Sequence, residues 1–412
     1  MLCSRSFKQQ GTTELKMSAN LHKYVFKLCL FVTCAVIADK YCFFFVGREI
    51  FEMPILIAEW TLLILLLSVL ARTRGYIIVK IAMVVFTIKI LYYVVYLAEF
   101  NFQKNILILI LLSIYIFEEE RFRIYSIEML HRHYTKLLLF LLLSFLPFAW
   151  FYNRYFQEVG ATDYSEILRL SGLWELPHTF AYLVLGMMLL NPKDNVILNV
   201  FLYINIMLTG VRSAMIAGAI YFVYSLFYSL INIKRVRTQL MVFGTLIVAG
   251  LSFGHFTGLL AQLFEFHITP LLKEDLSDPL YGKGRIVFNL LAVQDIKHFA
   301  VSDLMIGKSA TQLYDLFIDY LGIKSWPHND FITVLYVFGV VGLALYCYAL
   351  FYLPWRNVRF SIATKIPVIS LMIFILALTN GFYTYYAIYI ILIASGIAYQ
   401  HWLRGLPDHG IS

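Results

Sequence analysis

Long apolar runs alternate with short polar segments along almost the whole chain. An apolar run of about 20 residues is long enough to cross a bilayer as a helix. The runs bounded by charge predict about twelve spans, at about 24–46, 54–71, 76–99, 104–117, 136–152, 179–190, 195–208, 212–232, 239–255, 330–353, 361–378 and 384–402. The pattern therefore predicts an all-α polytopic membrane protein, a single integral membrane domain over residues 1–412 that begins with a polar tail at 1–23.

Composition agrees with this class of protein. Of the 412 residues, 61% are hydrophobic and 14% are charged, whereas a soluble domain is about half apolar and a quarter charged. The net charge of +8 does not by itself indicate a nucleic-acid partner. In a membrane protein, Lys and Arg first mark the cytoplasmic loops.

The basic residues predict an orientation. They cluster in the loops after the second, fourth, sixth, eighth and tenth spans: Arg72, Arg74, Arg121, Arg123, Arg132, Lys136, Lys193, Lys234, Arg235, Arg237, Arg356, Arg359 and Lys365. All these loops fall on one side, which the positive-inside rule makes cytoplasmic, together with both termini. The opposite face is then exoplasmic, and periplasmic if the chain lies in a bacterial inner membrane.

Two predicted exoplasmic loops are long, residues 153–178 and 256–329. The second has helical patterns in VFNLLAVQDIKHF (287–299) and ATQLYDLFIDYLG (310–322). Loops of this length are uncommon in compact proteins unless they have a function. We therefore expect the loop at 256–329 to carry part of the functional site.

Two arginines on the exoplasmic side point to an anionic ligand. Arg212 lies in a short turn between two apolar runs, where a charge is costly and typically functional; the alternative is snorkelling to lipid headgroups. Arg285 opens a predicted helix after the segment GKG, which contains Lys283. A helix N-terminus favours an anion, although a plain glycine turn explains the segment as well.

Two histidines occur where predicted exoplasmic loops meet apolar runs, His178 and His328. A lone histidine such as His178 is more often a satisfied interfacial group than a catalyst. His328 has polar neighbours: Trp326 suits the headgroup level or a sugar face, Pro327 suits a first helical turn, and Asn329 can cap the helix or orient the imidazole. Near arginines an imidazole tends to stay neutral, so His328 is a candidate proton acceptor.

No motif of the sequence has metal-ligand spacing, and no nucleophile motif is evident. The site suggested by the residues is therefore a set of arginines and one histidine, with no metal or other cofactor. Arginines bind phosphate oxygens and stabilise charge that develops on them. This combination is typical of a reaction in which a hydroxyl nucleophile displaces a phosphate leaving group.

The segment HNDFITVLYVFGVVG (328–342) has His, Asn, nine residues, Gly339, two residues and Gly342. This spacing resembles the signature of the bacterial O-antigen ligase and polymerase superfamily. Three further segments resemble that superfamily in the same order: RLSGLWELPHTFAYLVL, LTGVRSA and GRIVFNLLAVQDIKHFAVSDLMIGKS. The resemblance covers about 165–350; the rest of the chain is similar only in consisting of apolar runs.

The resemblance implies a metal-independent, inverting glycosyltransferase with a GT-C-like fold. Its substrate would be an oligosaccharide on undecaprenyl pyrophosphate, used at the outer face of the inner membrane. Arg212 and Arg285 would contact the pyrophosphate, and His328 would act as the base or position the acceptor. Arg169 and His178 occupy matching segments and are candidate substrate-binding residues. Membrane lipid, a chain-length regulator and a flippase of the same pathway are the expected partners.

Chemistry alone adds Lys283, Trp326 and Asn329 as candidate substrate-binding residues. The form PHND and the long helical loop favour a polymerase that joins repeat units over a ligase that transfers the glycan to lipid A-core. The spacing from His328 to Gly339 does not separate these two activities. A lipid-linked oligosaccharide flippase or other transporter, and a scaffold without activity, are the alternatives from other classes.

Overall fold

The computed structural model describes residues 21–39, 42, 50–72, 77–97, 102–159, 171–191, 195–208, 211–231, 284–321, 327–356, 365–379, 381 and 387–403. Within these ranges every regular element is a helix and there is no strand. The helices are α1 (Leu21–Asp39), α2 (Glu52–Arg72), α3 (Ile77–Leu97), α4 (Phe102–Glu118), α5 (Glu120–Val159), α6 (Ser171–Leu189), α7 (Val196–Leu208), α8 (Arg212–Ile231), α9 (Gly284–Ile296), α10 (Val301–Ile306), α11 (Ala310–Leu321), α12 (Asp330–Cys347), α13 (Ile366–Thr379) and α14 (Ile388–Leu403). A π-helical turn (Tyr348–Tyr352) and a short α-helix (Leu353–Trp355) continue α12 to Trp355. The all-α prediction is confirmed for this part of the chain.

Three helical runs in the described ranges are long and apolar enough to cross a membrane: Leu21–Asp39, Glu52–Leu70 and Asp330–Trp355. Five shorter apolar helices accompany them, at His178–Leu189, Val196–Met207, Ser213–Leu226, Ile366–Thr379 and Ile388–His401. These lengths and compositions are those of a helical membrane protein. The total of twelve spans and the GT-C-like arrangement stay predictions.

Helix α5 differs most from the predicted boundaries. The predicted span 136–152 lies inside a helix of 40 residues that runs from Glu120 to Val159. The charged residues that bounded the predicted span are good helix formers, so the helix continues through them. The predicted loop at 153–178 is likewise helical at both ends, because α6 already begins at Ser171.

Several contacts join helix ends that the predicted loops place on the cytoplasmic side. Arg123, near the start of α5, donates to the carbonyl oxygens of Ile116 and Phe117 at the end of α4 and to Gln400 of α14. Arg356 forms a 2.8 Å ion pair with Glu118, which ends α4. These contacts bring together helix ends that were predicted to lie on the same side of the membrane. Which side is cytoplasmic stays a prediction.

A buried ion pair joins α2 and α4 towards their other ends. Lys104 bonds to Glu59, and their side chains are 0% and 2% exposed. The Lys104 ammonium also lies 6.0 Å from the centroid of the Trp60 ring. An isolated charge is costly to bury in an apolar environment, and each of these two groups lowers the free-energy cost of burying the other.

Candidate functional site

Helix α12 folds back on itself at Gly339. That residue has φ 66° and ψ −167°, a conformation essentially restricted to glycine. The Tyr346 hydroxyl donates a 2.5 Å hydrogen bond to Asp330, 16 positions away along the same helix. A straight helix would separate such residues by about 24 Å. Residues 330–338 therefore form a first arm, and residues 340–355 a second arm that lies beside it.

Ring contacts support the hairpin. The Phe331 ring of the first arm lies 6.1 Å from Tyr346 and 6.1 Å from Phe351, both in the second arm, and 5.6 Å from Phe374 in α13. The apolar helical run predicted over 330–353 is therefore present, but it reverses at Gly339 and is not one straight helix. Residues 330–353 are apolar throughout both arms, so a hydropathy count cannot show where the chain reverses.

His328 directly precedes the first arm, whose start lies beside the middle of the second arm rather than at its end. The backbone of His328 has φ 54°, in the left-handed region, and it is the non-glycine residue with positive φ within the described ranges. This conformation costs about 1–2 kcal/mol for most residues. The side chain is half-buried, and the neighbouring Asp330 is fully buried.

Asn329 caps the first arm. Its side-chain oxygen accepts a 3.2 Å hydrogen bond from the N–H of Ile332, as an N-cap asparagine does. The predicted capping role is confirmed. The prediction that Pro327 occupies the first helical turn is wrong, because α12 begins at Asp330 and Pro327 lies before the cap.

The tip of the hairpin packs backbone against backbone on the turn between α10 and α11. Gly307 of that turn has φ 79° and ψ 166°. A Cβ at Gly307 would lie 2.3 Å from the carbonyl oxygen of Val337, and one at Gly339 would lie 2.4 Å from that of Met305. Both positions require glycine for conformation and for space. The two glycines thus bring the loop at 284–321 onto the hairpin.

Lys89 of α3 holds this junction. Its ammonium donates to three successive carbonyl oxygens of the turn, those of Ile306 at 2.6 Å, Gly307 at 2.8 Å and Lys308 at 2.9 Å. A fourth contact, at 2.7 Å, goes to the carbonyl oxygen of Val337 near the tip. One side chain therefore satisfies carbonyl groups from the loop and from the hairpin.

A second polar cluster connects α9 to the first arm. Asp295 accepts hydrogen bonds from the Lys308 ammonium at 2.9 Å and from the Tyr336 hydroxyl at 2.7 Å. Lys308 also lies 4.3 Å from the centroid of the Phe299 ring, and its N–H donates to the Tyr336 carbonyl oxygen at 2.8 Å. Lys308 is thereby bound to groups of this chain. Asp295 and Lys89 are the residues of this junction that the sequence reasoning missed.

The two candidate catalytic arginines both lie at helix starts. Arg212 is the first residue of α8, and Arg285 is the second residue of α9, as predicted. The helix of Arg285 contacts the arm that follows His328 through Asp295 and Tyr336. The positions of the two guanidinium groups lie outside the described side chains, so their convergence on one ligand stays a prediction.

The described contacts connect His178 to the start of α8 through Tyr182. Its ring is 6.5 Å from that of Tyr182, whose hydroxyl is 3.3 Å from the Ser213 hydroxyl. Ser213 follows Arg212, so His178 belongs to the same helix junction as that arginine. Helix α13 packs against both α8 and α12 and so connects the two junctions.

The other predicted substrate-binding residues, Arg169, Lys283 and Trp326, lie outside the described residues. Within the described part of the chain no group of three or more His, Cys, Asp or Glu residues is placed to hold a metal ion. Among the missed residues, Lys89 had a sequence signal: it is a charge inside the apolar run IAMVVFTIKILYYVVYL, and such charges are functional candidates. Asp295 had no signal of this kind.

Replacing Lys89 by methionine should loosen the junction. Lys89→Met keeps the length of the side chain but leaves four carbonyl oxygens without the ammonium, at about 1–3 kcal/mol for each one that finds no other donor. We expect a lower melting temperature of the purified protein in detergent. Lys27→Met, at an exposed position on α1, is the control. Equal melting temperatures for the two variants would contradict the role given to Lys89.

Comparisons of the chain with family models, with curated proteins and with solved structures gave no match. The described residues define the class as an all-helical protein with apolar, membrane-type helices. Its candidate site lies at the start of a folded-back helix, where a histidine in a left-handed conformation precedes the N-cap.

Proposed function

We propose that this protein is a glycosyltransferase of the bacterial inner membrane, an O-antigen polymerase that joins oligosaccharide repeat units carried on undecaprenyl pyrophosphate. The observation that carries the proposal is the backbone of His328, with φ 54° at the start of the first arm. Non-glycine residues in strained conformations persist where the surrounding structure imposes them, and they are concentrated at active sites. Next to His328, the Asn329 cap and the bond from Tyr346 to Asp330 fix the start of the first arm.

In the proposed reaction, His328 accepts the proton of a sugar hydroxyl on the acceptor. The hydroxyl oxygen forms a bond to the anomeric carbon of the donor glycan. The bond between that carbon and the phosphate oxygen breaks, and its electron pair leaves with undecaprenyl pyrophosphate. Attack from the face opposite the leaving group inverts the configuration at the anomeric carbon.

Arg212 and Arg285 are proposed to bind the pyrophosphate as negative charge develops on it. Their positions at the first turns of α8 and α9 support this role. Free N–H groups and the helix dipole add positive potential at a helix start. A guanidinium group can also donate two parallel hydrogen bonds to the oxygens of one phosphate. His178, at the junction of α6 and α8, is proposed to contact the same ligand.

A transporter is the second candidate, and the hairpin is the observation that favours it. Carriers often build their binding sites from discontinuous helices whose half-helix ends point at the ligand, and the arms of α12 are such halves. A carrier needs no group that accepts a proton from a sugar hydroxyl. The requirement for the imidazole of His328 therefore separates the two functions.

The lipopolysaccharide of a deletion strain tests the proposal. A polymerase leaves a single repeat unit on the lipid A-core when it is lost, and the wild-type gene restores the ladder of long chains on a gel. Bare core together with long chains retained on the lipid carrier would assign the protein as a ligase instead. Bare core without any extended carrier-linked glycan at the outer face would favour a flippase.

A further inference from the structure

We propose that α10 and the turn after it are inserted into the outer leaflet of the bilayer, where the apolar face of α10 contacts lipid acyl chains. This inference concerns a surface away from His328. It bears on the proposed reaction in one respect: the first arm runs about 13 Å back from the tip, so His328 would lie deeper in the bilayer than α10. It rests on three observations: the exposure of α10, its position along two apolar helices, and the hydrogen bonds that the backbone of the following turn forms within the protein.

Helix α10 buries none of its residues, although its sequence VSDLMI is mostly apolar. Val301 is 79% exposed, Met305 46% and Leu304 38%. At 100° per residue, Val301, Leu304 and Met305 lie on one face, and Ser302 and Asp303 lie on the others. An exposed apolar face of this kind is typical of a surface that contacts another apolar environment.

The depth of the turn indicates which environment that is. Gly307 contacts the tip of the hairpin, and the second arm runs from that tip through 340–355. An arm of this length rises about 24 Å, less than the roughly 30 Å of a hydrocarbon core. The basic residues after Trp355 predict that this end lies near one face of the membrane, which would place the tip and α10 below the opposite headgroups.

Helix α3 is consistent with this depth. Lys89, which holds the turn, lies eight residues before the end of α3 at Leu97, and so about 12 Å along the helix from that end. The residues around it on α3 face outward: Ile81, Val84, Val85, Ile88 and Leu91 are 41–61% exposed. The exposed face of α10 therefore continues an outward apolar surface at the same level.

The backbone of the turn meets the condition for burial in lipid. Non-helical backbone at membrane depth is tolerated only where its polar groups have partners within the protein. The carbonyl oxygens of Ile306, Gly307 and Lys308 all accept from the Lys89 ammonium, and the Lys308 N–H donates to the Tyr336 carbonyl oxygen. A turn in water would not need these partners, because water would supply them.

Quenching by brominated phospholipids tests the proposal. In full-length protein whose five native cysteines are replaced by alanine, Val301→Cys and Leu304→Cys are each labelled with an environment-sensitive fluorophore and reconstituted into vesicles without polyprenyl lipid. Ile88→Cys on α3 is the reference for a lipid-facing site, and Gln294→Cys, an exposed polar position on α9, is the control. We expect quenching at 301 and 304 within about twofold of that at 88, and little at 294.

Labels at 301 and 304 that are quenched no more than the label at 294 would overturn the proposal. So would quenching that disappears when undecaprenyl phosphate is added, because the face would then belong to the lipid carrier. Unmodified protein provides a second readout if the variants fail to fold. An apolar photoactivated reagent dissolved in the bilayer should label the peptide that contains α10, and the absence of label there would also overturn the proposal.

Discussion

Gly339→Ala is expected to disrupt the hairpin and to abolish activity with it. The new methyl group would lie 2.4 Å from the carbonyl carbon and oxygen of Met305, backbone atoms that cannot rotate away. The same substitution would force an alanine into a conformation essentially restricted to glycine. Together these effects should cost on the order of 3 kcal/mol or more. The melting temperature of the purified protein and the yield of folded protein after detergent extraction measure the loss.

Gly218→Ala is the matched control for this experiment. A Cβ at Gly218 would lie 3.1 Å from a ring carbon of Tyr203, a side-chain atom that can shift, and its backbone needs no positive φ. We expect a change of less than about 1 kcal/mol at this position. A Gly339→Ala protein as stable as Gly218→Ala would show that the chain does not reverse at Gly339 as described.

Removal of the imidazole at position 328 is expected to abolish the long-chain polysaccharide. The loss of a general base lowers a rate by about 10²–10⁴-fold. His328→Gly is the most informative variant, because glycine adopts φ 54° without strain and should fold at least as well as the native chain. The readouts are the lipopolysaccharide ladder in a deletion strain and the melting temperature of the variant.

His328→Asn distinguishes two roles for the imidazole. Asparagine tolerates the left-handed conformation and forms hydrogen bonds, but it does not accept a proton at neutral pH. If His328 acts as a base, His328→Asn should give no ladder. If His328 only positions the acceptor, the same variant should give a partial ladder. A normal ladder with both His328→Gly and His328→Asn would contradict any role of His328 in transfer.

Several features of the site were predictable from the sequence because they are local. The helix at Arg285, the helix over 310–321 and the cap at Asn329 are local features, decided by periodicity and by one side chain. They were predictable for that reason. The left-handed backbone of His328 was not predictable, because it depends on contacts of the first arm with distant parts of the chain.

The reversal at Gly339 was missed for a different physical reason. Hydropathy reports whether a residue prefers lipid or protein interior, and both arms of α12 have this preference. The reversal depends on Gly339 meeting the backbone near Gly307, in a segment more than thirty residues earlier in the chain. Contacts between distant segments of this kind leave no periodic signal in either segment alone.

The buried pair of Glu59 and Lys104 has a consequence for the order in which the helices enter the membrane. During synthesis α2 emerges first, with a carboxylate whose burial is costly until it is paired. Its partner arrives only with α4, after the whole of α3. We therefore expect α2 to stay beside the insertion machinery until α4 has been made. Crosslinking of stalled nascent chains would show this as contact between α2 and the translocon that ends once Lys104 has emerged.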